Sequence, residues 1–565
     1  MKNPRQHQSS TAHLQAAHAP FFTITLAQPR LWTVLGCMLW LTVAPIMLRA
    51  QTYTDLHDFF CPTDGCVSYP PGILAQGRDG NLYGTMFGGG TSNGGTVFKV
   101  TPSGTVTTLH NFAGADGAYP FGGLTLGTDG NFYGTTTQGG TNNMGTIFQI
   151  TPSGVLTTLH SFTGSDGIGP RTPPVEGTKN GTFYGVTYNT SVGYSITSSG
   201  TFKLLTTAIP QSPQAPLLLA SDGNFYGTSI QGGNDGQGSV FRMTPGGGVK
   251  TIYAFDPSGV HGRVPYAPVV QGSDGFLYGT TGAGGNPTTG GVVFKLSTKG
   301  KITVLHQFDQ SSLTDGYEPL DGLVAATDGN FYGATSTGVP GAPAQYGTLF
   351  KITKTGTYSI QYVFDGTHGA FQSSNSVQHT NGTIYGLPGA GGLDGTGVFY
   401  SLVQSAPTPP FVSLVGFPVN TAGQTVEILG DGLTGTTSVM FGSGSATFTV
   451  VSDTYMTAVV PASGTTGTVT VTTPSGTLLS RQNFKVLPVI LNFKPGNGPV
   501  GTQVTITGTG LTGATSVTFG GVKATFTVNS GTQVTATVPT GAKTGKIKIT
   551  TAGGTATSSA TFTVN

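Results

Sequence analysis

Charge is scarce in this chain: Asp, Glu, Lys and Arg together supply 8% of its 565 residues. That is too little charge for an ordinary disordered tail, and helix-forming residues are too few for an α protein. Net charge is close to zero and the Lys and Arg residues are scattered, so the electrostatic footprint of a nucleic-acid-binding protein is missing. Cysteine is rarer still, with three in the whole chain. What is abundant is glycine, 91 residues, together with Ser and Thr. Short strands separated by many glycine turns are what remains, and an all-β chain is expected.

The first 50 residues contain no acid but do contain Lys2, Arg5, Arg30 and Arg49. An apolar run, Leu31 to Leu48, is followed by Arg49-Ala50. A basic lead, an apolar stretch and a small residue before a polar start predict a secretory signal over 1–50, cut near Ala50. Left uncut, the run just reaches membrane-spanning length and would be the chain's only membrane attachment. Cys37 has too little apolar sequence ahead of it to resemble a lipoprotein cysteine. Cleavage leaves Cys61 and Cys66, six positions that read CPTDGC. In an oxidising compartment such a pair most simply forms a disulfide, and zinc would need further ligands that the neighbourhood lacks.

The chain repeats itself. Asp129-Gly130-Asn131-Phe132-Tyr133-Gly134-Thr135 has close copies around Tyr83, Tyr184, Tyr226, Tyr278, Tyr332 and Tyr385, at steps of 50, 51, 42, 52, 54 and 53 residues. A period of that size means stacked copies of one small unit. Each copy predicts four antiparallel strands: a strand before Asp-Gly, its return, a third strand such as GTIFQIT (145–151), and a fourth such as VLTTLHSF (155–162). The seventh copy lacks a fourth strand, while a spare one, TDLHDF, stands at 54–59 ahead of the first. The chain ends are complementary, so a closed seven-bladed β-propeller is predicted over 51–403, its ring free of exposed edges. A Pro-rich linker follows at 404–410. Two units, 411–487 and 488–565, then match each other at an offset of 78, and their alternating strands predict two small β-sandwiches.

The DGNLYGT, GTVFKVTPSG and TLHNF series resembles the GloVer tandem repeat of exported bacterial proteins, named for Gloeobacter and Verrucomicrobia. The resemblance covers about residues 51 to 403 and implies a propeller-like surface protein of unassigned activity. Relatives often carry envelope anchors, whereas this sequence ends in a sandwich strand, Thr561 to Asn565, with no sorting tail. The C-terminal pair is similar to IPT/TIG domains, on GPVGT (498–502), VTITGTGL (504–511) and VTFGG (517–521). Gly442-Ser443-Gly444 departs slightly from the last of these in the first unit. The resemblance implies immunoglobulin-like spacers or binding modules.

The recurring Asp before Gly (Asp79, Asp129, Asp222, Asp274, Asp328) would suit a calcium ring, but Asn180 and Asn381 replace it in two copies. Asp-Gly and Asn-Gly both suit a two-residue hairpin turn with positive φ at its central residues, so no metal and no cofactor are expected. His57, His110, His160 and His306 share one position with Tyr253, Tyr362 and Thr206. A catalytic base would not be repeated around a ring and exchanged for Tyr, so these read as packed aromatics. The informative loops are those between blades: DGAYP (116–120), DGIGPR (166–171), HGRVPY (261–266) and DGYEP (315–319). They place Tyr119, Arg171, Arg263, Tyr266, Tyr317 and Glu318 on one face, where rings stack and polar tips donate, as sugar or peptide contact requires. The expectation is a monomeric, exported surface protein that binds an extracellular polysaccharide or an envelope protein. A carbohydrate-active lyase or hydrolase working through acids such as Glu176, Asp235, Asp256, Asp315 or Glu318 is one alternative. A purely structural envelope protein is another.

Overall fold

The computed structural model describes residues 51–66, 72–285, 290–311, 315–338, 346–371, 376–404 and 408–565. The expected secretory signal and most of the linker's first half therefore lie outside the described residues. Among the described residues one four-residue helix, Cys61–Asp64, interrupts an otherwise all-β chain, and no helix is long and apolar enough to cross a membrane.

Seven four-stranded antiparallel sheets follow the repeat. In the second blade the strands are Thr125–Leu126, Phe132–Thr136, Thr146–Ile150 and Leu156–Ser161, in that order from the axis outward. The second and third strands are buried on both faces, because each blade packs between two others. This is why FYGTT and TIFQI are nearly continuous apolar and small residues, whereas the outer strand, LTTLHS, is partly exposed along its length and more polar. The ring closes as the chain ends implied. Thr52–Asp58 pairs antiparallel with Val398–Val403, Tyr53 opposite Leu402 and His57 opposite Phe399. Tyr53 stacks on Tyr362 with centroids 3.8 Å apart, and Phe59 is fully buried against Leu74, Met86, Phe98 and Phe399 at the joint of the last and first blades. Cys61 and Cys66 are joined as a disulfide just after this strand, Cα atoms 4.5 Å apart.

The organising motif does more than turn the chain, and its turn is not the one expected. Gly127 N–H donates to Asn131 C=O (2.8 Å) and Gly130 N–H to Gly127 C=O (2.9 Å), a three-residue loop in which only Gly130 has positive φ, 84°. Three-residue hairpin loops need one left-handed residue at the end, not two in the centre. Asp129 is instead an acceptor hub: Oδ2 takes the Tyr133 hydroxyl (2.7 Å), the Asn131 amide (2.9 Å) and the Gln149 amide (3.0 Å). Tyr133 then stacks on Phe183 of the next blade at 3.8 Å, as Tyr83 does on Phe132 at 4.1 Å and Tyr278 on Phe331 at 4.1 Å. Burial, then the carboxylate beside it, pushes the Tyr278 hydroxyl up to about 12. It stays a neutral donor.

Blades are also tied at the axis. Gln76 reaches Thr380, Glu176 reaches Thr128, Gln271 reaches Ser221 and Gln378 reaches Thr327, each side chain bonding the turn of the preceding blade. Between the first two blades the inner segments meet backbone to backbone: Ile73 N–H donates to Gly122 C=O and Leu124 N–H to Ile73 C=O, both 3.2 Å.

Two sandwiches complete the described chain, each a four- and a five-stranded sheet with the same strand order. Their cores repeat at the offset of the sequence match. Phe441 lies edge-on to Phe484 at 4.9 Å, and Phe519 to Phe562 at 5.0 Å. The first sandwich docks on the propeller's Asp-Gly turns. Arg78 gives two hydrogen bonds to Glu427 Oε2 (3.1 and 2.6 Å), one to Thr128 C=O (2.9 Å), and lies 4.8 Å over the Tyr455 ring. Thr380 bonds Gly430 C=O, Thr454 bonds Arg78 C=O, Lys485 bonds Ser221 C=O and Arg481 bonds Ala325 C=O. Blades one, two, four, six and seven are touched, so the sandwich lies across the axis.

His379 sits under this contact. Its Nδ1 accepts Asn381 N–H (3.1 Å), which leaves Nε2–H to donate to Gly80 C=O (2.9 Å). Only the neutral ring satisfies both, and burial holds the imidazole below its ordinary value. A folded pKa below the unfolded value of about 6.5 means that stability is intact above that pH and falls as pH drops through it. Burial also lowers His160, which acts in the same direction. Thermal melts at about pH 7.5 and about pH 5 are expected to show a smaller acid-induced drop for His379→Gln than for the wild type.

Candidate functional site

Antiparallel connectivity gives the propeller two unlike faces. Turns between first and second strands, and between third and fourth, lie on one. Loops between second and third strands, and between blades, lie on the other. All the sandwich hydrogen bonds named above fall on the turn face. The loop face is the one that carries the sequence-predicted residues.

One backbone device organises that face. In six successive blade-to-blade loops one equivalent position has left-handed φ: Tyr119 (59°), Gly169 (61°), Ser212 (60°), Val264 (55°), Glu318 (57°) and Phe371 (51°). The first five precede a proline. Tyr119 N–H donates to Gly94 C=O of the blade behind (2.7 Å), and its C=O accepts Thr137 N–H of the blade ahead (3.1 Å). Val264 does the same between Gln237 (2.8 Å) and Gly282 (3.0 Å), and Glu318 between Gly290 (2.8 Å) and Ser336 (3.0 Å). Phe371 bridges Tyr346 (2.8 Å) and Gly389 (3.3 Å). The left-handed residue is therefore a staple between neighbouring blades.

The six predicted residues separate into groups. Tyr119 and Arg171 belong to one strip. Tyr119 stacks on Phe87 at 5.1 Å, Phe87 meets Phe121 edge-on at 5.9 Å, and the Arg171 guanidinium lies 5.2 Å from Phe121 and 3.6 Å from Tyr188. Phe87, Phe121 and Tyr188 were not singled out from sequence. Phe87 and Tyr188 occupy equivalent positions at the end of the second strand, where other blades carry Thr137, Ile230 and Gly282. An aromatic at a repeat position that is otherwise small or aliphatic was the available signal. Tyr266 stands apart, its ring close over Gly282, where Leu320 also approaches. Tyr317 packs against the core of the fifth and sixth blades and pairs its backbone with Thr337. Glu318 accepts the Thr337 hydroxyl at 3.3 Å. Arg263 pairs its backbone with Ala283, and its side chain folds back toward Gly259 of its own loop.

The histidines pack as expected and show a partner that sequence reading missed. His110 Nε2 meets Asp116 at 2.6 Å, His160 meets Asp166 at 3.0 Å and His306 meets Asp315 at 3.0 Å, while each ring sits edge-on to the Phe two residues on. The acid of each DG loop is thereby used to pin the loop to its outer strand. Burial opposes ionisation of Asp166, but the Thr163 N–H and hydroxyl and His160 together hold its carboxyl below the usual range. Two candidate acids change standing. Glu176 is not in a loop: it ends the inner strand Val175–Glu176, buried, and binds Thr128 and Gly181 N–H. Asp315 is buried beneath His306.

A family model described as the Gloeobacter/Verrucomicrobia repeat matches residues 42–199 and 191–400, and the IPT/TIG domain model matches 410–486 and 488–564. No functionally curated protein matches the chain. Among solved structures it is similar to a catalytically inactive virginiamycin B lyase from Staphylococcus aureus, at 14% identity and a TM-score of 0.41, over 63% of this chain and 99% of that one. A surface glycan-binding protein from Prevotella bryantii is similar at 17% identity and a TM-score of 0.20, over 28% of this chain and 40% of that one. A fungal alcohol oxidase in complex with copper is similar at 12% identity and a TM-score of 0.40, over 78% and 99%.

Proposed function

The chain belongs to the Gloeobacter/Verrucomicrobia repeat family and carries two IPT/TIG domains, and from that premise we propose an exported surface protein whose loop face binds an extracellular polysaccharide. Export rests on the pattern of the first 50 residues. The observation that carries the binding reading is the strip Tyr119–Phe87–Phe121–Arg171–Tyr188, on the face opposite the sandwich hydrogen bonds described above. Flat sugar faces stack on aromatic rings, and the tyrosine hydroxyls and guanidinium N–H groups suit sugar hydroxyls or carboxylates at the edges.

The test is affinity gel electrophoresis of the secreted protein through soluble xyloglucan, arabinoxylan, pectin and dextran. Retardation by at least one is expected, and Tyr188→Ala or Phe87→Ala should weaken it about tenfold, as loss of one stacked ring implies. Retardation by none, or full retention by both variants, removes the reading. Time-dependent release of shorter chains would replace binding with catalysis.

A further inference from the structure

The left-handed staples hold a contradiction that bears on specificity. Glycine is the residue such a backbone favours, and a β-branched side chain at positive φ is a genuine outlier. Glycine is used once, at Gly169, which shows that the staple forms without a side chain. At the equivalent positions the chain instead carries Tyr119, Ser212, Val264, Glu318 and Phe371. These share no size, charge or polarity, so no common packing role selects them. Ser212 is buried and bonds Gln231. The other four are partly or largely exposed, Phe371 by 48%. Both hydrogen bonds of each staple are made by the staple residue's own N–H and C=O, to backbone partners except at Ser212, whose N–H donates to Ser191 Oγ, so they fix where the side chain starts without dictating what it is.

We propose that Tyr119, Val264, Glu318 and Phe371 are the specificity-determining contacts of the loop face, one per blade junction, for the polysaccharide of the reading above, on which this inference rests. Strain kept at four positions where glycine would relieve it is explained when each side chain meets a ligand. The rigid element beneath is the ring of staples, and the readout is the residue each one carries. A polysaccharide long enough to span more than one junction would meet several of these residues together.

The test pairs stability with binding in Val264→Gly, Phe371→Gly and Val264→Ala, on the full secreted chain with the same four polysaccharides. The glycine variants should melt at the wild-type temperature or about 1 °C above it. They should lose at least tenfold in affinity or change the order of preference among the four. Val264→Ala, which keeps the strained Cβ, should match Val264→Gly in binding without any gain in melting temperature. A fall of several degrees in the glycine variants would mean that these side chains serve the fold, and the inference fails. Unchanged affinity and ranking with a wild type that binds would also overturn it, leaving the binding reading intact. A wild type that binds none of the four removes both.

Discussion

A chain lacking residues 51–59 is expected to lose the cooperative melt of the wild-type propeller and to become open to protease. Those residues contribute a strand to the seventh blade, six backbone pairings in all, together with the Tyr53 and Phe59 rings. Truncating Phe59 alone would remove a fully buried ring from the joint between the last and first blades. Losses of that kind run to about 3–5 kcal/mol. Deletion also exposes the edge of Val398–Val403, and an unpaired edge invites association with other chains. Size-exclusion chromatography should show higher-order species, and a synthetic peptide of residues 51–60 should suppress them. A deleted chain that stays monomeric and melts as the wild type does would mean that the ring is held by the axial contacts alone.

Gly123→Ala should separate the first two blades. At φ 78° an added Cβ would strike the backbone N and O of Ile73, and it lies 2.7 Å from the carbonyl carbon of Gly72. The two hydrogen bonds that join the inner segments of these blades cannot both survive that contact. Left-handed strain of about 1–2 kcal/mol and the lost bonds together predict a destabilisation of about 3 kcal/mol. Gly275→Ala is the control. Its φ is 80°, yet no atom lies within 4 Å of the added carbon, so only the strain of about 1 kcal/mol should be felt. Denaturant melts of the two variants would distinguish clash from strain, and equal losses would discredit the close approach of the blades.

Blade number and ring closure were legible because they are written locally. Each tyrosine of the organising motif marks a blade, and TDLHDF at the front answers the missing strand at the back. The turn differs from the expected two-residue type for a physical reason: Asp-Gly satisfies two hairpin geometries, and the Tyr133 hydroxyl that selects Asp129 as acceptor is four residues away. The His–Asp pairs were hidden differently. His306 and Asp315 are near in sequence, but an Asp before Gly reads as a turn residue in any copy. Docking of the first sandwich was beyond reach, since Arg78 and Glu427 lie 349 positions apart and neither residue type recurs at its repeat position. At the loop face, the loops DGAYP and DGIGPR point to Tyr119 and Arg171, whereas their neighbours Phe87 and Tyr188 lie at the end of a repeated strand, where nothing in the motif marks them out. Tyr317 shows that a ring in a loop can still turn inward, because it packs on the core of two blades.

The sandwich that lies across the Asp-Gly turns has a consequence for traffic through the axis. A propeller with both ends open is a conduit; with one end stoppered it becomes a blind vessel. Under the polysaccharide reading proposed above, anything entering along the axis from the loop side would leave by the same mouth, and a long polymer would not be threaded through. Interior stretches of the proposed polysaccharide would then be met lying flat across the rim, with only a free end able to dip in.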